Sequence, residues 1–261
     1  MMTPGIPTRS APDPAAARNR LGALATYVGV AAGIGPPDRL TETLRGLAES
    51  ERKRVRRELD ERADSIREQL IAARLWEYFT SAEQRYLGTA PDKVSVHEWS
   101  SAMLHIEGVG VLRWALGIGP VLPPYGVSVP TEALEQSSRG LPVDVSLRSP
   151  SELDGARAIA ELWHWRARAR LIASGVLPAP VGIARAAFEE PVAAVAARAA
   201  ADGVISHVLH GDFPMGNQPY ASLPQSEVMR LAAIAYGRQW ALNWLCGLAP
   251  GNKWDETPTT T

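Results

Sequence analysis

Arg238 stands on an apolar helical stripe, and that placement constrains the fold more than any other feature of the sequence. Leu231, Ala235, Leu242 and Leu245 lie three, four or seven positions from it, so all five share one side of a helix. Trp240 and Trp244, four apart, share another side of the same helix. A guanidinium on an inward face needs a partner, because burying an unpaired charge is prohibitive.

The partner predicted from the sequence is Glu107. It follows Met103 by four positions and precedes Gly110, Val111 and Trp114 by three, four and seven, which puts it on the apolar side of its own helix. Arg113 aligns in the same way with Ala102, Ile106, Val109 and Leu116. These positions predict a buried polar cluster in which Glu107 pairs with Arg238, assisted by Arg113, Asn243 or Asp255. Trp114, Trp240, Trp244 and Trp254 form its aromatic framework. Arginine suits the role because its planar fork bonds a carboxylate with two parallel hydrogen bonds. Two readings follow: a structural lock, or a small-molecule pocket in which Glu107 is a general base.

The helical pattern extends over nearly the whole chain. Residues 1–13, with three prolines and no periodicity, read as a mobile tail, and residues 14–261 as a single helical domain. A first helix over 14–32 ends at Gly33-Ile-Gly-Pro-Pro37. Arg18 and Arg20 before its apolar run loosely imitate a secretory signal, but three glycines, a threonine and a tyrosine dilute that run, so a core helix is expected. From Asp38 to Arg74 one helical pattern continues. Seven acidic and seven basic side chains between Glu49 and Glu68 mark it as a polar helix laced with its own ion pairs, such as Glu49 with Lys53 and Glu58 with Arg62.

Thr80-Ser-Ala-Glu83, Ser95-Val-His-Glu98 and Ser149-Pro-Ser-Glu152 each fit a capping box and predict helix starts near 81, 96 and 150. The second of these helices runs to Leu116, the third to Ser174, and residues 117–130 are loop. Pro191 divides 182–202 into two short helices, and the last helix spans 225–246. The fold class is therefore all-α, an irregular multi-helix domain. At most a minor strand pair lies near 204–220, where Val204, Ser206 and Val208 alternate.

With the helices placed, several segments together resemble the bacterial domain-of-unknown-function family 4272. They are Leu75-Trp-Glu-Tyr-Phe-Thr-Ser-Ala-Glu-Gln-Arg-Tyr-Leu87, Glu107 with Val111-Leu-Arg-Trp-Ala-Leu-Gly117, and Arg238 with Ala241-Leu-Asn-Trp-Leu245 and Trp254-Asp-Glu256. They spread over about residues 40–261. The chain departs from the family pattern at Gly237, where a glutamate is usual, and at Thr260, where an acidic residue is usual. The resemblance implies a mostly helical domain and brings no activity with it.

Three other constellations have weaker claims. His210-Gly-Asp-Phe-Pro-Met-Gly-Asn217 is similar to the catalytic loop of aminoglycoside-phosphotransferase-like kinases, in which the aspartate takes the hydroxyl proton and the asparagine holds a metal ion. The chain has only three lysines (Lys53, Lys93 and Lys253) and no aspartate between Asn217 and Asp255, so a glycine–proline turn is expected instead. His207, His210 and Asp212 could be read as metal ligands, but no helix is expected to align them. Trp163-His-Trp-Arg-Ala-Arg-Ala-Arg170 interleaves aromatic and basic groups as a single-stranded nucleic-acid surface would. Its Trp163, Ala167 and Leu171 align as a packing stripe, which favours an amphipathic core helix.

The net charge of -1 argues against a protein-wide nucleic-acid field. Cys246, the one cysteine, cannot form an intrachain disulfide, and its apolar context reads as a buried inert thiol. No cofactor or metal is expected, and cytoplasmic location is the default. The leading functional reading is a non-catalytic helical protein that acts through contacts with another protein.

Overall fold

A computed structural model describes residues 11–119, 121–138 and 141–259. Most of the predicted tail lies outside the described residues, but its end is ordered into the fold. The Asp13 carboxylate caps α1 (Pro14–Ile34) by accepting from the Ala16 N–H at 2.7 Å. The fold is all-α. It continues through α2 (Pro37–Gly46), α3 (Glu49–Ala72), α4 (Ser81–Leu87), α5 (Val96–Leu104), α6 (Ile106–Ala115), α7 (Glu132–Ser138), α8 (Pro150–Ala173), α9 (Val192–Ala201) and α10 (Gln225–Leu245).

The only β-structure among the described residues, apart from one isolated bridge between Leu209 and Asp212, is a small antiparallel pair. Strands β1 (Pro214–Met215) and β2 (Gln218–Pro219) pair around a Gly216-Asn217 turn. It falls in the expected region, though the alternating Val204–Val208 stretch is not part of it.

The three capping boxes start α4, α5 and α8 as read, each with its hydroxyl bonded to the backbone of the glutamate and the glutamate bonded back. Two breaks and one missing helix were not foreseen. The long pattern from Asp38 divides after Gly46, where Leu47 turns extended. Arg52 caps the loose end of α2 by donating to the carbonyls of Leu44 at 2.9 Å and Leu47 at 3.0 Å. The helix expected to run from 96 to 116 divides at His105, which no breaker residue announces. Segment 182–202 contains only one α-helix, α9, preceded by a single 3-10 turn at Arg185–Phe188. Helix α7 forms in a stretch for which no element was assigned.

Two apolar clusters make up the interior, and α10 belongs to both. One gathers α1, α6 and the C-terminal half of α10 around Leu21, Leu24, Leu112 and Leu242. The other gathers α8, α9 and the N-terminal half of α10 around Trp163, Ala167, Phe213 and Leu231. Arg238 lies between Ala235 of the second cluster and Ala241 of the first. The inward arginine therefore sits where the helix passes from one core to the other.

Helix α3 meets the first cluster only towards its C-terminal end, through Ile66 and Leu70. Of its 24 residues only Ala63 and Leu70 are buried. Its flank is tied down by Lys93–Asp60 at 2.9 Å and Arg56–Asp92 at 3.2 Å. Glu49 pairs with Lys53 at 3.6 Å as expected, whereas Glu58 pairs with Arg54 rather than Arg62.

Candidate functional site: three buried arginine–carboxylate pairs

Glu107 and Arg238 meet as the stripes require. Arg238 Nε donates to Glu107 Oε2 at 2.8 Å, and both side chains are almost wholly withdrawn from solvent. The expected helpers are not the ones that complete the site. Loop 121–130 does so: Arg238 donates to the carbonyls of Pro123 at 2.5 Å and Val127 at 2.8 Å, and Glu107 Oε1 accepts from the Val129 N–H at 2.9 Å. The guanidinium also lies over the Tyr125 ring, 4.7 Å from its centre. The pair thus fastens two helices and a loop at once, which satisfies the donors and acceptors that burial would otherwise strand.

Arg113, Asn243 and Asp255 are elsewhere. Arg113 reaches α7, donating to Ser137 Oγ and Gln136 Oε1 at 2.8 Å each. Asn243 donates to the Pro258 carbonyl at 2.6 Å, holding the C-terminal segment against α10. Asp255 is exposed. Spacing placed each of the first two facing inward, but Arg113 points across to α7 and Asn243 towards the tail. Of the aromatic framework, Trp240, Trp244 and Trp254 form one group, with ring centres 6.4 and 5.4 Å from Trp254. Both indole N–H groups on α10 bond backbone carbonyls of the tail, at Trp254 and Asn252. Trp114 is separate, stacked under the Arg148 guanidinium.

Gly237, where the resembled family carries glutamate, is a close-approach position. A Cβ there would lie 2.8 Å from the Leu104 carbonyl oxygen and 3.0 Å from Glu107 Cβ. Because the nearest atom is backbone, Gly237→Ala is expected to cost about 1–3 kcal/mol, read as a lower urea midpoint with an unchanged slope. Thr260, the other departure, lies outside the described residues.

A second pair sits in the motif that resembles a kinase loop. Asp212 receives Arg166 Nε and Nη2 at 2.6 Å each, a fork-to-fork contact, and both residues are buried. Its oxygens also accept from the N–H groups of Phe213 at 2.7 Å and Ala221 at 2.8 Å. Glu189 approaches Arg166 at 3.2 Å from the other side. Asp212 has no oxygen left for a substrate hydroxyl, and Asn217 lies exposed at the hairpin turn. His210 and Gly211 both adopt positive φ, at 51° and 78°, which is what turns the aspartate inward. His207 and His210 are exposed and not gathered with Asp212, and no His, Cys, Asp or Glu group suited to a metal occurs among the described residues. In the Trp163–Arg170 stretch, Trp163 stacks on Tyr125 at 5.3 Å and Arg166 is fully buried, so neither offers a surface for bases.

The third pair was missed altogether. Arg20 donates to Glu83 through both terminal nitrogens, one contact being 2.8 Å, and to the Tyr78 carbonyl at 3.1 Å. Its guanidinium lies 4.5 Å from the Trp254 ring centre. The signal was available: Arg20 follows Ala17 by three and precedes Leu24 by four, on the buried face of α1. Glu83 was read only as the third residue of a capping box, and it serves both roles. Burial pushes its carboxyl up, but the Arg20 charge and the hydrogen bonds from Arg20 and Thr80 outweigh this and hold it below the ordinary glutamate range.

His105, at the break between α5 and α6, packs against Tyr27, Trp240 and Trp254. Burial pulls its pKa down from 6.5 to about 4, with Glu83 opposing and Arg20 assisting. The unfolded chain therefore binds a proton that the folded chain refuses between those values, so stability falls as pH drops through that window. Glu83 acts with the same sign lower down, its contribution being lost as pH falls through its depressed pKa. We expect the unfolding free energy to drop by about 3 kcal/mol from pH 7 to pH 4 on account of His105, and His105→Gln to remove that part of the slope in urea titrations.

Cys246, expected to be buried, is half-buried at the end of α10. A shallow cleft of about 480 Å³ runs between the 124–127 loop and the β1–β2 hairpin, with Trp163 at its base. Glu107 does not line it. A scan against protein-family models, a search of curated proteins and a search of solved structures each return no match.

Proposed function

We propose that the chain is a non-catalytic, cytoplasmic helical protein of the kind gathered in domain-of-unknown-function family 4272, working through contacts with another protein. One observation carries the reading. Among the described residues the fully buried carboxylates are Glu83, Glu107 and Asp212, and each is neutralised by its own buried arginine with both oxygens engaged. A general base needs a lone pair free to meet a substrate proton. Here each carboxylate is packed against its arginine, with both oxygens bonded within the fold and withdrawn from solvent. Support for the contact role comes from α3, which presents most of its length to solvent as a mixed-charge surface. No helix among the described residues is long and apolar enough to cross a membrane.

The test places a photo-crosslinking residue at exposed Arg57 or Glu61 on α3, and at exposed Glu132 as a control, in the native host. The reading expects one polypeptide to be captured from the α3 positions and not from the control. It expects purified protein to leave a host metabolite extract unchanged over hours by mass spectrometry. Time-dependent consumption of a metabolite that Glu107→Gln abolishes without unfolding the chain would contradict it.

A further inference from the structure

Two of the three buried pairs converge on one feature, the cleft between the 124–127 loop and the β1–β2 hairpin. The Glu107–Arg238 pair holds the loop, through the carbonyls of Pro123 and Val127 and the N–H of Val129. Arg230 adds a bond to the Gly126 carbonyl at 2.9 Å. The Arg166–Asp212 pair holds the hairpin, through the N–H groups of Phe213 and Ala221 on either side of it. Both walls are therefore fixed before anything enters, which spares a ligand the cost of ordering them.

The lining defines what would fill the cleft. Pro124, Val127, Pro214, Met215 and Leu223 make its sides apolar. Trp163 at the base is 9% exposed, and its indole N–H has no hydrogen-bond partner among the described residues, yet that atom is not sealed from solvent. The same is true of the hydroxyl of Tyr125, which also lines the cleft. Tyr125 is covered by the Arg238 guanidinium and stacked with Trp163, so its edge, not a face, meets the cleft. Ring edges carry partial positive charge and favour acceptors, as the two donors do. Glu227, half-buried and paired with Arg230 at 2.6 Å, is the one charged residue of the lining. Donors without a cation suit neutral acceptors, and a lone carboxylate repels an acidic ligand and admits a basic one.

An extended proline-rich segment has this chemistry. Its carbonyls make no internal hydrogen bonds, its rings are apolar, and its backbone is already set, so little entropy is lost on docking. We propose that the cleft binds an extended proline-rich segment of a partner protein, its carbonyls accepting from Trp163 and Tyr125 and a flanking basic side chain lying beside Glu227. This rests on the reading of the chain as a contact protein but not on α3. Crosslinking from α3 and peptide binding here can fail independently.

Heteronuclear NMR titration with a capped decaproline–arginine peptide, and with a glycine–serine peptide of the same length and charge, tests this. The indole N–H signal that is missing from Trp163→Phe protein should shift with the proline peptide and stay in place with the other. Trp163→Phe and Tyr125→Phe should each weaken binding about three- to tenfold, the loss of one hydrogen bond. Glu227→Gln changes a surface-accessible side chain and so keeps the fold. It should weaken the arginine peptide by up to about fivefold and leave a decaproline–glutamine peptide unchanged. An unmoved Trp163 signal at every soluble peptide concentration would overturn the proposal, as would equal binding of the glycine–serine peptide. Self-association that Val181→Asp abolishes and the proline peptide displaces would also overturn it. The occupant would then be the Leu177-Pro-Ala-Pro-Val-Gly-Ile183 loop of a second copy, whose Val181 is fully exposed.

Discussion

Replacing Arg238 with methionine is expected to cost about 3–5 kcal/mol of folding stability, the penalty for leaving a buried carboxylate unpaired. Three features put the loss at the upper end. Glu107 keeps a single donor, the Val129 N–H, and the carbonyls of Pro123 and Val127 lose theirs. The ring of Tyr125 loses the cation above it. The junction between the two apolar clusters is also where α10 can least relax, since each half of the helix is held in a different core. Urea denaturation followed by circular dichroism measures the loss, and limited proteolysis at residues 121–130 should show the loop released before the helices unfold. Adding Glu107→Met to the same chain should restore much of the stability, because an apolar pair of similar volume removes the stranded charge. Recovery should stop short of complete, since the Val129 N–H is then left without an acceptor.

Asp212→Ala is expected to have an effect of the same order, about 3–5 kcal/mol, for a mirror-image reason. Here the stranded charge is the guanidinium of Arg166, which is fully buried. Glu189 at 3.2 Å is half-buried and offers partial relief, whereas the N–H groups of Phe213 and Ala221 have no replacement. Those two bonds tie the residues on either side of the hairpin to Asp212, so the variant should also loosen the 204–223 segment in hydrogen exchange. In thermal melts the loss corresponds to a fall of roughly 10 °C for a chain of this size. A catalytic aspartate would behave otherwise: its removal would leave the melting temperature near the wild-type value.

What was legible in the sequence was the local and the periodic. Capping boxes announce themselves within four residues, and all three formed. The Glu107–Arg238 pair was legible because both residues sit on helices whose apolar stripes fix their direction, so two independent phases pointed to one place. Asp212 had no such phase. It lies in a turn set by the positive φ of His210 and Gly211, and loop direction is not written in spacing. Its resemblance to a catalytic loop therefore had nothing to test it against. Arg166 and Arg170 stand four apart on one helix, but burial separates the two, and only the tertiary position of the hairpin decides that. The backbone partners of Arg238 were out of reach for the same reason. They are carbonyls of a proline- and glycine-rich loop, which any sequence of that composition would offer. The breaks at Leu47 and His105 follow from packing that overrides a continuous helical pattern, with no proline at either position.

The account rests on inward charges being spent on one another. A double-mutant cycle on Glu107→Met and Arg238→Met, measured by urea unfolding at neutral pH, tests this directly. The account predicts a coupling free energy of at least about 2 kcal/mol, with the double variant more stable than either single one. Additive losses with coupling near zero would contradict it.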